Sequence, residues 1–209
     1  MVDMKQFCLS CSCISQYDLS LPFILDGWLY ATDGHIAVRK RSDEPNTDGQ
    51  FPRIIEDMFS HVDHTDMLAV PSCNIAPRAT RCGDCGGIGK LSKCEECNGT
   101  GEVKCLECGH IDDCDECGGK GRISGGSTPC ERCDNTGTIQ IYPNVKLFGQ
   151  WFDGQFIAKI LTIPGVTAKI ENGMLAFCNE EYFGLLMPIT GPFVDRCSID
   201  LDANQEPTP

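Results

Sequence analysis

The sequence predicts an α+β domain made from two separated stretches of chain, interrupted by a segment with no apolar core of its own. Three observations carry this. Residues 1–78 and 139–196 have the mixed apolar texture of a packed domain, and each sets a hairpin signal beside a helical pattern. Residues 79–138, between them, are rich in Gly and Cys and almost bare of large apolar side chains; ten of the sixteen cysteines fall between Cys82 and Cys133. Either flank alone, about 60–78 residues, would be a marginal domain. One domain built from both flanks is therefore favoured over three modules in series.

In chain order, "DGWLYATDGHIAVRK" reads as two strands joined at Asp33-Gly34, a type I′ hairpin signal. Phe51, Ile54, Ile55, Met58, Phe59 and Val62 follow helical spacing, with Pro52 suited to a first turn. Strands are expected at Thr138–Tyr142, Val145–Phe148 and Tyr182–Ile189. Asp153 is placed to cap a helix presenting Phe156, Ile157, Ile160 and Leu161, stopped by Pro164-Gly165. "VTAKIENGMLAFC" repeats the hairpin signal at Asn172-Gly173. Residues 197–209 are polar and read as a disordered tail.

The chain carries a formal charge of −13. Two sites of four thiolates around a divalent zinc would take this to about −17. Between Cys82 and Cys133 there are six Lys/Arg against ten Asp/Glu, so no basic patch is gathered there and direct nucleic-acid binding is disfavoured. The start, "MVDMKQFCLSCSC", has an early acidic residue and no apolar leader core. No apolar run nears the roughly 20 residues of a membrane span. A cytoplasmic protein is expected, in which clustered cysteines point to metal rather than disulfides.

The cysteine segment repeats itself: "CGDCGGIG" from Cys82, "CEECNGTG" from Cys94, "CDECGGKG" from Cys114 and "CERCDNTG" from Cys130. A Cys-x-x-Cys turn lets two thiolates reach one metal at about 2.3 Å. The glycines allow positive φ, and freed amides can donate to sulfur. Four such copies resemble the cysteine-rich zinc-finger domain of DnaJ-type chaperones, over residues 79–138. The resemblance implies a zinc-stapled β-hairpin inserted in the α+β domain. It also implies that the first and fourth copies share one zinc, Cys82, Cys85, Cys130 and Cys133. The second and third would share another, Cys94, Cys97, Cys114 and Cys117. What it implies of function is protein–protein contact, extending to unfolded polypeptide. No His-Pro-Asp tripeptide exists in the chain, so the J-domain signature is missing.

A fifth pair, Cys105 and Cys108 in "KCLECGHIDDCDEC", lacks the glycine pattern. With His110 it is a candidate for an extra site at the hairpin tip, or an open thiol pair. A third zinc could also join it to Cys8 and Cys11 of "CLSCSC", whose bland reading, with Cys13, is packed or free thiols. Thiol–disulfide exchange by a Cys-x-x-Cys would need one pair free of metal.

Fainter signals remain. "YATDGHIAVR" and "ENGMLAFCNEEYFGLLMP" resemble strand-turn-strand phrases of single domains of bacterial DNA-polymerase sliding clamps. This implies a clamp-like domain in DNA metabolism with the zinc hairpin as a docking arm. His61 and His64, with Asp63 and Asp66, read as a solvated helix end before a metal site. His35 is expected to be exposed and Cys178 packed, while Cys73 and Cys197 carry no signal. No Ser/His/Asp set, phosphate-binding loop or carboxylate pair stands out, so a non-enzymatic protein is expected.

Overall fold

The computed structural model describes residues 2–9, 17–49, 51–52, 54–63, 65–105, 107–190 and 198–202. The chain separates into two compact units, residues 1–76 with 142–209, and residues 77–141. The elements run β1 (Phe23–Leu25), β2 (Trp28–Thr32), β3 (Ile36–Arg41), α1 (Ile54–Ser60) and β4 (Leu68–Ala69) in the first unit. The second unit holds β5 (Arg78–Arg81), β6 (Lys90–Lys93), β7 (Glu102–Lys104), β8 (Ile111–Asp113), β9 (Arg122–Ser124), β10 (Thr128–Pro129) and β11 (Thr138–Ile141). The first unit then resumes with β12 (Asn144–Leu147), β13 (Gln150–Asp153), α2 (Gly154–Ile160), β14 (Thr167–Glu171), β15 (Met174–Cys178), β16 (Tyr182–Leu186) and β17 (Ser198–Asp200). The content is mainly strand with two short helices, an α+β composition.

In the first unit both flanks enter one antiparallel sheet, ordered β1-β2-β3-β16-β15-β14-β4. The join is the β3–β16 ladder, in which Ile36 faces Leu186 and Lys40 faces Tyr182. Strand alternation divides the buried residues between two cores. Ile36, Val38, Leu175, Phe177 and Leu186 pack with Phe156, Ile157 and Ile160 of α2. Ala37, Ala176 and Leu185 pack with Ile55 and Phe59 of α1. The helices thus cover opposite faces of the sheet. No described helix is long and apolar enough to cross a membrane.

Local chemistry explains the elements. The Asp153 carboxylate caps α2 by accepting from the Gln155 amide at 2.9 Å, as expected of an N-cap. At Asn172-Gly173 both residues have positive φ, 50° and 78°, the two-residue turn that matches strand twist. The Asp33-Gly34 turn differs from its expectation. Thr32 pairs with Ala37, and three residues, Asp33, Gly34 and His35, connect β2 to β3. The Asp33 amide donates to the Ile36 carbonyl at 3.3 Å while its carboxylate accepts from the His35 and Ile36 amides at 2.9 and 3.1 Å. Backbone and side chain thus close the hairpin together, with only Gly34 of the two central residues at positive φ. In α1, Ile55 and Phe59 are buried as the spacing predicts, whereas Ile54 is 67% exposed.

The disordered-tail expectation is corrected for residues 198–202. β17 pairs in parallel with β12, Leu201 is buried, and Lys146 contacts Asp200 at 3.1 Å. The Asp202 carboxylate accepts from the Phe148 and Gly149 amides at 2.6 and 2.8 Å. Polarity misled here because short carboxylate side chains serve as backbone acceptors. Residues 203–209 lie outside the described part.

Candidate metal centres

The second unit consists of short, exposed ladders: β5 with β11, β6 with β9 and β10, and β7 with β8. Among its described residues the buried side chains are those of eight cysteines and Leu91, with Ile139, Val103 and Ile123 partly covered. The Cys-x-x-Cys turns occupy the connections between these strands. In each, an amide five residues on returns to the first cysteine's carbonyl: Gly87 to Cys82, Gly99 to Cys94, Gly119 to Cys114 and Asn135 to Cys130, at 3.0–3.2 Å. The last glycine of each copy donates its amide to the second sulfur. Gly89 reaches Cys85 Sγ, Gly101 Cys97 Sγ, Gly121 Cys117 Sγ and Gly137 Cys133 Sγ, at 3.1–3.3 Å.

The turns then pair. Cys82 donates its amide to the Gly137 carbonyl and Cys130 to that of Gly89, both at 2.9 Å. Cys94 and Cys114 do the same with Gly121 and Gly101, at 3.0 and 2.8 Å. Each pair is a local two-fold of two turns that brings four sulfurs together. The Cys82–Cys130 and Cys85–Cys133 sulfurs lie 3.8 and 3.7 Å apart. The Cys94–Cys114 and Cys97–Cys117 sulfurs are both 3.8 Å apart. Four ligands at about 2.3 Å from a tetrahedral ion stand about 3.8 Å from one another. All eight cysteines are at most 7% exposed, and each set of four lies within one metal-sized cluster. Both clusters fit a metal ion, and the donor set suits zinc. They contain the same eight residues that the DnaJ-type resemblance implied.

Pairing also explains the terminal glycines more fully than positive φ does. A Cβ at Gly89 would run into the Asn135 carbonyl, and one at Gly137 into that of Gly87. Gly101 and Gly121 meet the Gly119 and Gly99 carbonyls in the same way. Two backbones cross there, a contact that a repeat read one copy at a time does not reveal.

Four of the thiols differ in their readiness to ionise. At Cys85, burial acts upward but the Gly89 and Gly87 amides and the Cys133 thiol prevail, bringing the pKa down to about 7. Burial is likewise outweighed at Cys97, chiefly by the Gly101 amide and the Cys94 thiol, giving about 6. Burial wins at Cys114 and Cys130, both pushed up to about 12. The first two are thiolates near neutral pH, whereas the last two keep their protons until a cation displaces them. Metal uptake therefore releases protons, and acid opposes it. Affinity is expected to fall as pH drops, and to fall more steeply below about 7 for the cluster holding Cys85 and below about 6 for the one holding Cys97, where those thiols are also protonated and must be displaced. Competition against a chromophoric chelator across pH checks this; an affinity that rises on acidification would contradict it.

The other candidates fare differently. Cys105 and Cys108 share a tight turn, but His110 does not converge on them; its Nε2 lies 3.1 Å from the Asp112 carboxylate. No third metal-ligating cluster forms among the described residues. In this structure the His110 ring thus pairs with Asp112 instead of joining the two thiols. Cys8 packs in the first unit's core, where burial pushes its thiol up to about 11. Cys11, Cys13, His64 and Cys197 lie outside the described residues. His61 Nδ1 contacts the Asp57 carbonyl at 2.7 Å, and Asp63 holds Thr65. His35 is exposed and stacks on Phe156 with ring centroids 6.0 Å apart. Cys73 and Cys178 are half-buried.

One feature of the first unit escaped the sequence reading. An apolar groove of about 210 Å³ opens between α1 and the sheet, lined by His35, Ile36, Ile54, Met58, Leu185 and Met187 among others. Its walls come from segments more than 100 residues apart in the chain, so no local pattern signals it. Only the exposed, helically spaced Ile54 hints at it.

No family model matches the sequence, and no curated protein matches it. Among solved structures, the Helicobacter pylori β clamp bound to a DNA ligase peptide is similar at 10% identity and a TM-score of 0.31. The match covers 92% of this chain and 63% of that one. The DNA polymerase III β subunit of Thermotoga maritima is similar at 9% identity and a TM-score of 0.31, covering 92% and 62%. This chain thus spans less than two thirds of the length of those proteins. At these scores the likeness assigns neither fold nor family.

Proposed function

We propose that this chain is a non-enzymatic zinc protein whose DnaJ-type hairpin is a contact arm for a protein partner, extending to unfolded polypeptide. The observation that supports it is the pair of closed, buried four-sulfur clusters. With four protein ligands at each, no coordination position is open to a substrate, the pattern of structural rather than catalytic zinc. The metal then holds in shape a segment that has little apolar core, and the exposed Ile88 and Ile111 of that segment offer apolar contacts. The acidic surface disfavours nucleic acid as the direct partner.

A second reading is favoured by one observation. The groove is lined by Gly34, His35 and Ile36 from one clamp-like phrase and by Met174, Leu185 and Met187 from the other. In this reading the first unit is a clamp-like domain of DNA metabolism, and the groove takes an apolar peptide segment of a replication protein. The charge of −13 favours a segment flanked by Lys or Arg. One comparison separates the readings. The full chain is tested for suppressing aggregation of a reduced, unfolding client, and for binding a labelled DNA ligase peptide by anisotropy. Suppression that is lost when the metal is removed supports the first reading, and peptide binding abolished by Met187→Asp supports the second. Failure of both removes both.

A further inference from the structure

The fifth pair is built unlike the other four. In the metal-cluster turns, the first cysteine donates its amide across to the terminal glycine of a paired turn. Cys105 instead donates its amide to the His110 carbonyl at 2.8 Å, and Gly109 returns to the Cys105 carbonyl at 2.9 Å, four residues on rather than five. The turn closes on its own hairpin, β7–β8, so its backbone is not free to pair as the metal turns do. No glycine follows at the position that donates to the second sulfur in the other copies; residues 110 and 112 are His and Asp. Neither thiol belongs to a metal-ligating cluster.

The two cysteines nonetheless share one tight turn, closed by the Gly109 amide on the Cys105 carbonyl at 2.9 Å. The nearby Cys108 and Glu107 amides, and after them the Cys108 thiol, draw the Cys105 pKa down. Cys105 is half-buried and Cys108 exposed, at the end of a two-stranded ladder whose residues are mostly solvent-facing. A Cys-x-x-Cys pair on one tight turn, an acidified first thiol and access from solvent are what exchange with a disulfide needs. The tip also carries Glu102, Glu107, Asp112 and Asp113 against Lys104. Two such tips repel, which weighs against a metal shared between copies of the chain.

We propose that Cys105 and Cys108 form a metal-free dithiol that exchanges with disulfides of small thiols or proteins, while the eight cluster cysteines stay on metal. The Cys105 thiolate attacks one sulfur of the disulfide; that S–S bond breaks, and the departing thiolate takes a proton from water. Cys108, its proton lost to solvent, then attacks the Cys105 sulfur of the mixed disulfide and releases the second thiolate. The substrate gains two electrons and leaves as two thiols, and the dithiol becomes a Cys105–Cys108 disulfide. The reverse reaction oxidises a substrate dithiol by the same bonds.

The test uses the full, metal-loaded chain equilibrated in glutathione redox buffers of rising oxidised fraction. Free thiols are then alkylated, the peptides mapped by mass spectrometry, and the metal counted on the same samples. The expected result is a Cys105–Cys108 disulfide formed while metal content does not change. Cys108→Ser should trap glutathione on Cys105, and Cys105→Ser should abolish the internal disulfide. Cluster cysteines oxidising before the pair, with loss of metal, would overturn the proposal. So would a metal count above two per chain that falls to two in the double Cys105→Ser/Cys108→Ser variant, which would make the pair a metal half-site.

Discussion

Stripping metal from the full chain with a strong chelator is expected to unfold residues 77–141 and leave the first unit folded. The magnitudes are lopsided. Fixing each residue's backbone costs roughly 1–2 kcal/mol, and burying one large apolar side chain returns about 1.5–3 kcal/mol. Among its described residues the second unit has one buried apolar side chain besides cysteine, Leu91, in a unit of some 65 residues. A structural zinc contributes roughly 10–16 kcal/mol of apparent binding free energy, several times the return from any single apolar side chain in this unit. The first unit has two cores, with Phe152, Phe177, Ile157, Tyr30 and Phe59 buried, and needs no metal. Hydrogen exchange should show protection lost across β5–β11 and kept across the β3–β16 ladder, with the first unit's thermal transition in place. Loss of protection in both units, or protection of the second without metal, would contradict this.

Replacing a single ligand should remove one metal and spare the other. Cys133→Ser leaves Cys82, Cys85 and Cys130 as a buried trio without the fourth anionic donor. Changes to groups that merely orient a ligand cost about 10–100-fold in affinity, so loss of the ligand itself should cost more than about 100-fold. Metal content is expected to fall from two per chain to one. Melting should be confined to the residues around Cys82–Leu91 and Thr128–Thr138, because the Cys94–Gly121 pair of turns closes its own hydrogen bonds. Cys117→Ser should give the mirror result. A variant that loses both metals at once would show that the clusters do not hold separately.

Much of this architecture is legible in the sequence for a physical reason: its strongest determinants are local. Asn172-Gly173 dictates its turn whatever surrounds it, and Asp153 caps α2 through an amide two residues away. The cysteine grouping is legible through the resemblance to the DnaJ-type domain, which implies that the first copy joins the fourth and the second the third. What stayed hidden depends on partners distant in sequence. The Gly89 and Gly137 crossings exist only because two turns pack back to back. β17 exists because β12 offers it an edge and Asp202 finds two amides at the β12–β13 turn. The groove at Ile54 and Met187 is a product of sheet order. The His110–Asp112 contact is not legible either, because proximity in sequence to Cys108 says nothing of which way a ring beside a turn points.

Metal stoichiometry measured on the intact chain, by native mass spectrometry with elemental analysis of the same sample, tests the central claim most directly. Two zinc ions per chain are predicted, one for Cys82, Cys85, Cys130 and Cys133 and one for Cys94, Cys97, Cys114 and Cys117. No metal, a single ion or a metal other than zinc would contradict it.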